Sequence, residues 1–181
     1  LAIGCLARPR WRRSLGDRLG IAWPRPEGSP VLWAHAASVG EIEGIAPLVR
    51  RWRAPRPRGE GVGSARGASR CAAARRPLPG AAVRVFPLAL PPIVGRVARR
   101  LSPDLFLFSE NEIWPNALFA LHRRGVPIVQ VSGRLSPGAA ATLARVPRFT
   151  RAVTSWVSRF CVQAEEHRRR LLALGVPPER I

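Results

Sequence analysis

The stretch Leu105-Phe-Leu-Phe-Ser-Glu-Asn-Glu-Ile-Trp-Pro-Asn116 decides the fold. Its first four residues are apolar without alternation, as a strand buried on both faces of a parallel sheet requires. The run ends in Ser109-Glu-Asn-Glu112, and Pro115 suits the first turn of a helix, where its missing N–H has no partner to lose. That helix is expected to continue to Arg124 and stop at Gly125. A buried strand leading through a polar turn into a helix is the repeating step of an α/β sheet.

The same step recurs on either side. Val31-Leu-Trp-Ala-His-Ala36 reads as a strand ending at Ser38-Val-Gly-Glu41. A helix follows from about Ile42 to Trp52, with Ile45, Leu48, Val49 and Trp52 on one side. Val83-Arg-Val-Phe86 is a strand and Pro92 to Leu101 a helix. Beyond the central stretch come a strand at Pro127–Val131, a looser segment, and a helix around Phe149 to Ser158. A strand at Arg159–Val162 and a helix from Glu165 to Leu174, closed by Gly175, complete the pattern. About five strands with helical crossovers predict one α/β domain over 31–181, a Rossmann-like parallel sheet with flanking helices. Residues 1–30 are set apart as an N-terminal juxtamembrane segment.

One interval breaks the rhythm. An α/β domain should place a further strand between Trp52 and Val83. Yet 53–79 is rich in Arg, Gly, Ala and Pro, with Cys71-Ala-Ala-Ala74 its one apolar run of four. Such composition predicts an irregular segment. Either two compensating frameshifts have overwritten a structural unit, or the interval is a flexible loop.

The 181 residues carry 30 basic side chains against 11 acidic ones, a formal charge of +19. All the basic residues are Arg, which together with abundant Ala, Gly and Pro fits coding bias in GC-rich DNA. Arg50 to Arg76 holds nine Arg and one acid, Glu60, and Arg8, Arg10, Arg12 and Arg13 form a second group. No zinc finger, helix-turn-helix or RNA-binding aromatic motif accompanies the charge, which excludes the common nucleic-acid readers. An anionic membrane surface is the expected partner, and nucleic acid is not. Cys5, Cys71 and Cys161 are singletons without metal spacing or a disulfide framework. Leu1–Ala7 followed by Arg reads either as the end of a membrane helix with its positive flank or as a frayed terminus. Met is absent and the sequence starts at Leu1. It closes on the connector-like Gly175-Val-Pro-Pro178, so a fragment at both ends is expected.

Ligands of a doubly wound sheet bind beyond the carboxyl ends of its strands. Three of the 11 acids stand there: Glu41 after the first strand, Glu110 and Glu112 after Leu105–Phe108. Glu41 would also be favoured by the dipole at a helix N-terminus, and Glu112 would serve equally as a loop brace or cap. His35 lies in an apolar strand and reads as a satisfied core histidine. His122 and His167 fall on helices and read as solvated.

Trp33-Ala-His-Ala-Ala-Ser-Val-Gly-Glu41 resembles the strand-to-loop signature of 3-deoxy-D-manno-octulosonic acid (Kdo) transferases. Glu110-Asn-Glu-Ile-Trp-Pro-Asn116 is similar to that family's Glu-Thr-Glu-Leu-Trp-Pro-Asn. Val85-Phe-Pro-Leu-Ala-Leu-Pro91, Ser132-Gly-Arg-Leu-Ser136 and Val162-Gln-Ala-Glu-Glu166 match further segments in order. The resemblance implies the N-terminal, acceptor-binding half of a GT-B glycosyltransferase of lipopolysaccharide biosynthesis at the cytoplasmic face of the bacterial inner membrane. It implies inverting transfer of Kdo from CMP-Kdo to a lipid A precursor, with no metal and no cofactor. Glu41 would be the general base and Glu110 would stabilise charge in the transition state. Ser38, Gly40, Arg134 and Ser136 would bind substrate, with Gly40 allowing close backbone approach and a structural salt bridge equally open for Arg134. Glu112, Trp114 and Asn116 would support the site. The family's Thr-rich strand-end motif, expected around residues 60 to 70, is missing, and its C-terminal nucleotide domain lies beyond Ile181. The fragment is therefore expected to be inactive alone. Another membrane-associated GT-B transferase, a non-catalytic basic binding module and a degraded gene product are the alternatives.

Overall fold

The computed structural model describes residues 14–181. The Leu1–Ala7 anchor reading, Cys5 and the Arg8–Arg13 cluster lie outside the described residues. The chain opens with a short helix α1 (Leu15–Arg18), then β1 (Val31–His35), α2 (Val39–Arg53), β2 (Glu60–Ala65), α3 (Ala68–Ala74) and β3 (Ala82–Val85). It continues through α4 (Pro91–Leu101), β4 (Leu105–Ser109), α5 (Pro115–His122), β5 (Ile128–Gly133) and α6 (Pro137–Ala144). Helix α7 (Pro147–Ser155), β6 (Arg159–Val162), α8 (Glu165–Ala173) and a 3₁₀ turn at Pro178–Arg180 close it.

The described residues form one six-stranded sheet in the order β3-β2-β1-β4-β5-β6, every pairing parallel. The chain winds outward from β1 to β3, then crosses to β4 and winds the other way. That reversal puts the topological switch point between β1 and β4, where a doubly wound sheet leaves a crevice at its carboxyl edge. The Rossmann-like architecture is the one expected.

Two cores cover the two faces of the sheet. On one, Trp33, Phe106 and Phe108 pack with Phe86, Val97 of α4, Leu118 of α5 and Val153 of α7. On the other, Leu32, Ala34 and Leu107 meet Ile42, Ile45 and Val49 of α2 and Cys71 and Ala74 of α3. Trp33 is the hub: its ring lies 4.7 Å from Phe106, 5.8 Å from Phe86 and 5.1 Å from Trp23. Each such ring removes ~150–250 Å² from water, worth roughly 4–6 kcal/mol before entropy losses.

The sequence expectation fails in four places. The interval 53–79 is not irregular: it contains β2 and α3. The strand Glu60-Gly-Val-Gly-Ser-Ala65 lacks bulk because its neighbours fill the space. A Cβ on Gly63 would come within 3.1 Å of Leu78 Cδ1, and one on Gly61 within 3.7 Å of Val49 Cγ1. The ladders to β1 and β3 supply the backbone bonds that a flexible loop would lack. The boundary at residue 31 also falls inside the domain. Trp23 is buried, its Nε1 donating to Asp17 O at 2.8 Å, and Val85 N donates to Asp17 Oδ2 at 3.0 Å. Finally, the looser segment after β5 contains α6, capped by Ser136, and Leu48 faces outward on α2 rather than into the core. No helix of the described residues is long and apolar enough to cross a membrane.

Candidate active site at the switch point

Strands β1 and β4 pair in register, His35 beside Phe108, so the loops after them leave the sheet at the same edge. After β1, Ser38 is the extended N-cap of α2 and its Oγ accepts from Glu41 N at 3.3 Å. Glu41 reaches back, Oε2 accepting from Ala37 N at 3.0 Å. Ser38 thus satisfies a donor that the first helical turn leaves over, and Glu41 ties down the N–H of the residue before the cap. Among the described residues Oε1 of Glu41 has no hydrogen bond and the side chain is half-buried. The turn at Gly40 is open: a Cβ there would meet nothing within 4 Å.

After β4 the backbone turns sharply. Glu110 has φ +51° and Ser132, at the end of neighbouring β5, has φ +53°. A left-handed residue other than glycine costs roughly 1–2 kcal/mol, so the surroundings must hold it. They do: Glu110 N donates to Val131 O at 3.0 Å, and Gln130 Nε2 donates to Glu110 O. The Glu110 carboxylate is left partly exposed, 3.9 Å from Arg134 NH1, with both side chains open to water. Such a pair contributes ~0–1 kcal/mol.

Glu112 is placed differently. Its Oε2 accepts from Trp114 Nε1 at 3.2 Å and faces His35 Nε2 at 3.5 Å, while Oε1 lies 3.6 Å from Arg66 NH1. The His35 N–H is the leading cause that holds the Glu112 carboxyl below its ordinary range, with the charges of His35 and Arg66 and the Trp114 N–H adding, against partial burial. With both oxygens engaged, Glu112 is a brace, whereas Glu41 and Glu110 retain oxygens able to meet a ligand.

The remaining residues divide. Ser136 Oγ accepts from Ala139 N at 3.2 Å as the cap of α6, so its first role is local. Asn116 Nδ2 donates to Ala89 O at 2.7 Å, tying α5 to the loop after β3. Trp114 is half-buried against Phe86, 5.4 Å between rings. His35 is fully buried but not satisfied: Nδ1 lies 3.1 Å from Ser64 O and Oγ, whereas Nε2 makes no hydrogen bond of ordinary geometry. His167 is not solvated. Its side chain is 13% exposed and Nδ1 sits 3.3 Å from Leu135 N. Among the described residues no three His, Cys, Asp or Glu side chains gather as a metal site.

Arg66 is a site residue that the sequence reading did not single out. It directly follows β2, which puts it at the same edge of the sheet, and it reaches Glu112. The available signal was its spacing: a missing strand between Trp52 and Val83 would end near residue 65.

Fold and site together define a Rossmann-like domain, the half of a GT-B fold, with acidic residues at its switch point. Solved structures agree on the fold. A UDP-GlcNAc 2-epimerase from Neisseria meningitidis bound to UDP-GlcNAc superposes with TM-score 0.59 at 11% identity, over 83% of this chain and 45% of that one. A second UDP-N-acetylglucosamine 2-epimerase gives 0.61 at 10% identity, over 85% and 45%. In sequence, the family described as 3-deoxy-D-manno-octulosonic-acid transferase (kdotransferase) matches residues 13–181. The chain is 36% identical to the 3-deoxy-D-manno-octulosonic acid transferase of Chlamydophila psittaci, over 95% of this chain and 40% of that protein. It is 28% identical to that of Haemophilus influenzae, over 96% and 41%. The chain belongs to the Kdo transferase family. It spans about 40% of the length of these relatives.

Proposed function

We propose that this chain is the acceptor-binding half of an inverting glycosyltransferase of lipopolysaccharide biosynthesis that transfers Kdo from CMP-Kdo to a lipid A precursor, lipid IVA. The observation that carries the reading is topological. Glu41 and Glu110 leave neighbouring parallel strands at the switch point of a sheet whose sequence belongs to this family. An acceptor hydroxyl placed between them would attack the anomeric carbon of Kdo as the bond to CMP breaks. Glu41, with Oε1 available, takes the hydroxyl proton, which becomes acidic as the new C–O bond forms. Glu110 offsets positive charge growing on the donor sugar or steadies a cationic partner such as Arg134. Ser38, Gly40, Arg134 and Ser136 surround the acceptor, and CMP-Kdo is held by the part of the relatives' length that this chain does not span. No metal or cofactor enters this scheme.

Approach to the cytoplasmic face of the inner membrane is supported by the surface around α7. Val146 and Phe149 are 46% and 50% exposed and stand among Arg145, Arg148 and Arg151. Apolar side chains flanked by Arg suit an anionic lipid surface.

The test is transfer of radiolabelled Kdo to lipid IVA. The intact protein as the cell makes it should transfer, the 181-residue chain alone should not, and Glu41→Gln in the intact protein should lose activity by ~10²-fold or more. Full turnover in that variant removes Glu41 as the base. Absence of transfer by the intact protein defeats the whole reading.

A further inference from the structure

A cleft of about 240 Å³ opens beside the switch point, lined by Arg18, Arg66, Trp114 and the Phe86–Ala89 turn. Arg66 follows β2, and the turn at Phe86 follows β3, so the cleft lies at the same carboxyl edge as Glu41. Among the described residues that line it there is no carboxylate. Arg18 Nε donates to Ser14 Oγ at 3.2 Å and its NH2 to Arg66 O at 3.5 Å, so its guanidinium is held next to the Arg66 backbone at the cleft.

Arg66 is 54% exposed on its side chain yet held from behind. Its guanidinium stands 5.9 Å from the Trp114 ring centre and NH1 faces Glu112. The hold continues into the core. Ser64 O already accepts from Ala36 N at 3.0 Å, and Ser64 Oγ accepts from Trp33 Nε1 at 2.9 Å. His35 Nδ1 lies 3.1 Å from both Ser64 Oγ and Ser64 O, and the Glu112 carboxylate facing Nε2 favours the tautomer in which Nδ1 accepts the Ser64 hydroxyl proton. That leaves the imidazole proton on Nε2, directed at Glu112. Trp33, Ser64, His35, Glu112 and Arg66 form one line of polar contacts from the centre of the sheet to the mouth of the cleft.

We propose that the cleft binds a phosphate monoester through Arg66 and Arg18, and that His35 and Glu112 are positioning residues that fix the Arg66 fork toward it. A guanidinium whose orientation is set beforehand offers phosphate two parallel N–H donors at little ordering cost. The apolar turn Phe86–Ala89 gives the body of the ligand a wall. The proposal needs no glycosyl transfer and stands apart from the transferase reading, so each can fail without the other.

The test is titration of the 181-residue chain with inorganic phosphate and with glucose 1-phosphate, followed by calorimetry and by the Trp114 Nε1–H and Arg66 Nε–H resonances. Binding should shift both resonances. Arg66→Gln should weaken it about tenfold, and Arg50→Gln, at the opposite end of α2, should leave it unchanged. Glu112→Gln discriminates by sign. Removing a negative charge beside an anion site would tighten binding if Glu112 acted only through its charge. A positioning role predicts weakening of about threefold or more, because Arg66 loses its tether. His35→Gln should weaken binding likewise; if that variant fails to fold, Ser64→Ala, which removes the donor to Nδ1, takes its place. Tighter binding of glucose 1-phosphate than of phosphate says that the ligand arrives on a sugar, and equal binding says that free phosphate suffices. Equal losses in the Arg50 and Arg66 variants, or unchanged or tighter binding with Glu112→Gln, overturn the proposal.

Discussion

Replacing Glu41 separates the fold from the chemistry. In Glu41→Ala the helix α2 loses the carboxylate that accepts from Ala37 N at 3.0 Å, while Ser38 keeps its bond to the residue 41 backbone N–H. A cap of this kind contributes ~1 kcal/mol, and negative charge at a helix N-terminus adds about 0.3–1 kcal/mol. The sum is about 1–2 kcal/mol. For a domain of this size 1 kcal/mol moves Tm by about 2–4 °C, so Glu41→Ala should melt about 2–8 °C lower. Glu41→Gln keeps an oxygen able to accept from Ala37 N and loses only the charge, which predicts a fall of about 1–4 °C. Thermal unfolding followed by circular dichroism measures both. An unchanged Tm in Glu41→Ala would mean that the carboxylate does not cap the helix. Equal shifts in the two variants would assign its whole effect to charge. In either case the back-reaching geometry of Glu41 would be refuted, and with it the restraint that aims its second oxygen at an acceptor.

Two further outcomes are expected. Glu112 is held below the ordinary carboxylate range, foremost by the His35 N–H. The folded state therefore binds its proton less tightly than the unfolded chain, and the stability it contributes is present above the unfolded value and lost as pH falls through the folded one. Urea unfolding between pH 6 and pH 3 should show a decline that Glu112→Gln makes shallower; parallel profiles would remove this group as a cause. In β2, Gly63→Val drives a branched side chain toward Leu78 Cδ1, already 3.1 Å from the ideal Cβ, and toward Val83 Cγ2 at 3.4 Å. A loss of about 1–3 kcal/mol should follow. Gly61→Ala, with neighbours at 3.5–3.7 Å, should stay within about 1 kcal/mol. Similar losses in both would place β2 in the wrong register.

Where strands carry their own bulk, they were legible. Leu105–Phe108 and Val31–Ala36 announce themselves because side chains from both fill the two cores. Strand β2 was not legible, since its Gly61, Gly63, Ser64 and Ala65 are a floor onto which Leu78, Val83 and Trp33 pack. Periodicity detects side chains that project from a strand, and it is blind to a strand defined by what projects onto it. Trp23 and Asp17 were missed for a related reason: an isolated aromatic among prolines shows no period, yet it docks on Trp33. The acids at strand ends were visible from position alone. The partners of Glu112 were not, because they require β1, β2 and β4 to be neighbours.

The scarcity of acid in this chain sharpens which carboxylates can do chemistry. Several of the 11 are spent on the backbone. Glu60 Oε1 accepts from Glu27 N, Asp104 Oδ2 from Val31 N, and Asp17 Oδ2 from Val85 N. Glu165 and Glu166 pair with Arg168 and Arg170 along α8. Glu41 at the switch point keeps one oxygen without a hydrogen bond, and Glu110 holds only a 3.9 Å pair while its backbone stays left-handed. A loop that carries backbone strain to present an underused carboxylate is poorly explained by stability, which a glycine at 110 would serve better. It is well explained by a ligand that completes the site when it binds. Glu41 and Glu110, which follow adjacent strands at one sheet edge, are thus the pair on which the proposed transfer turns.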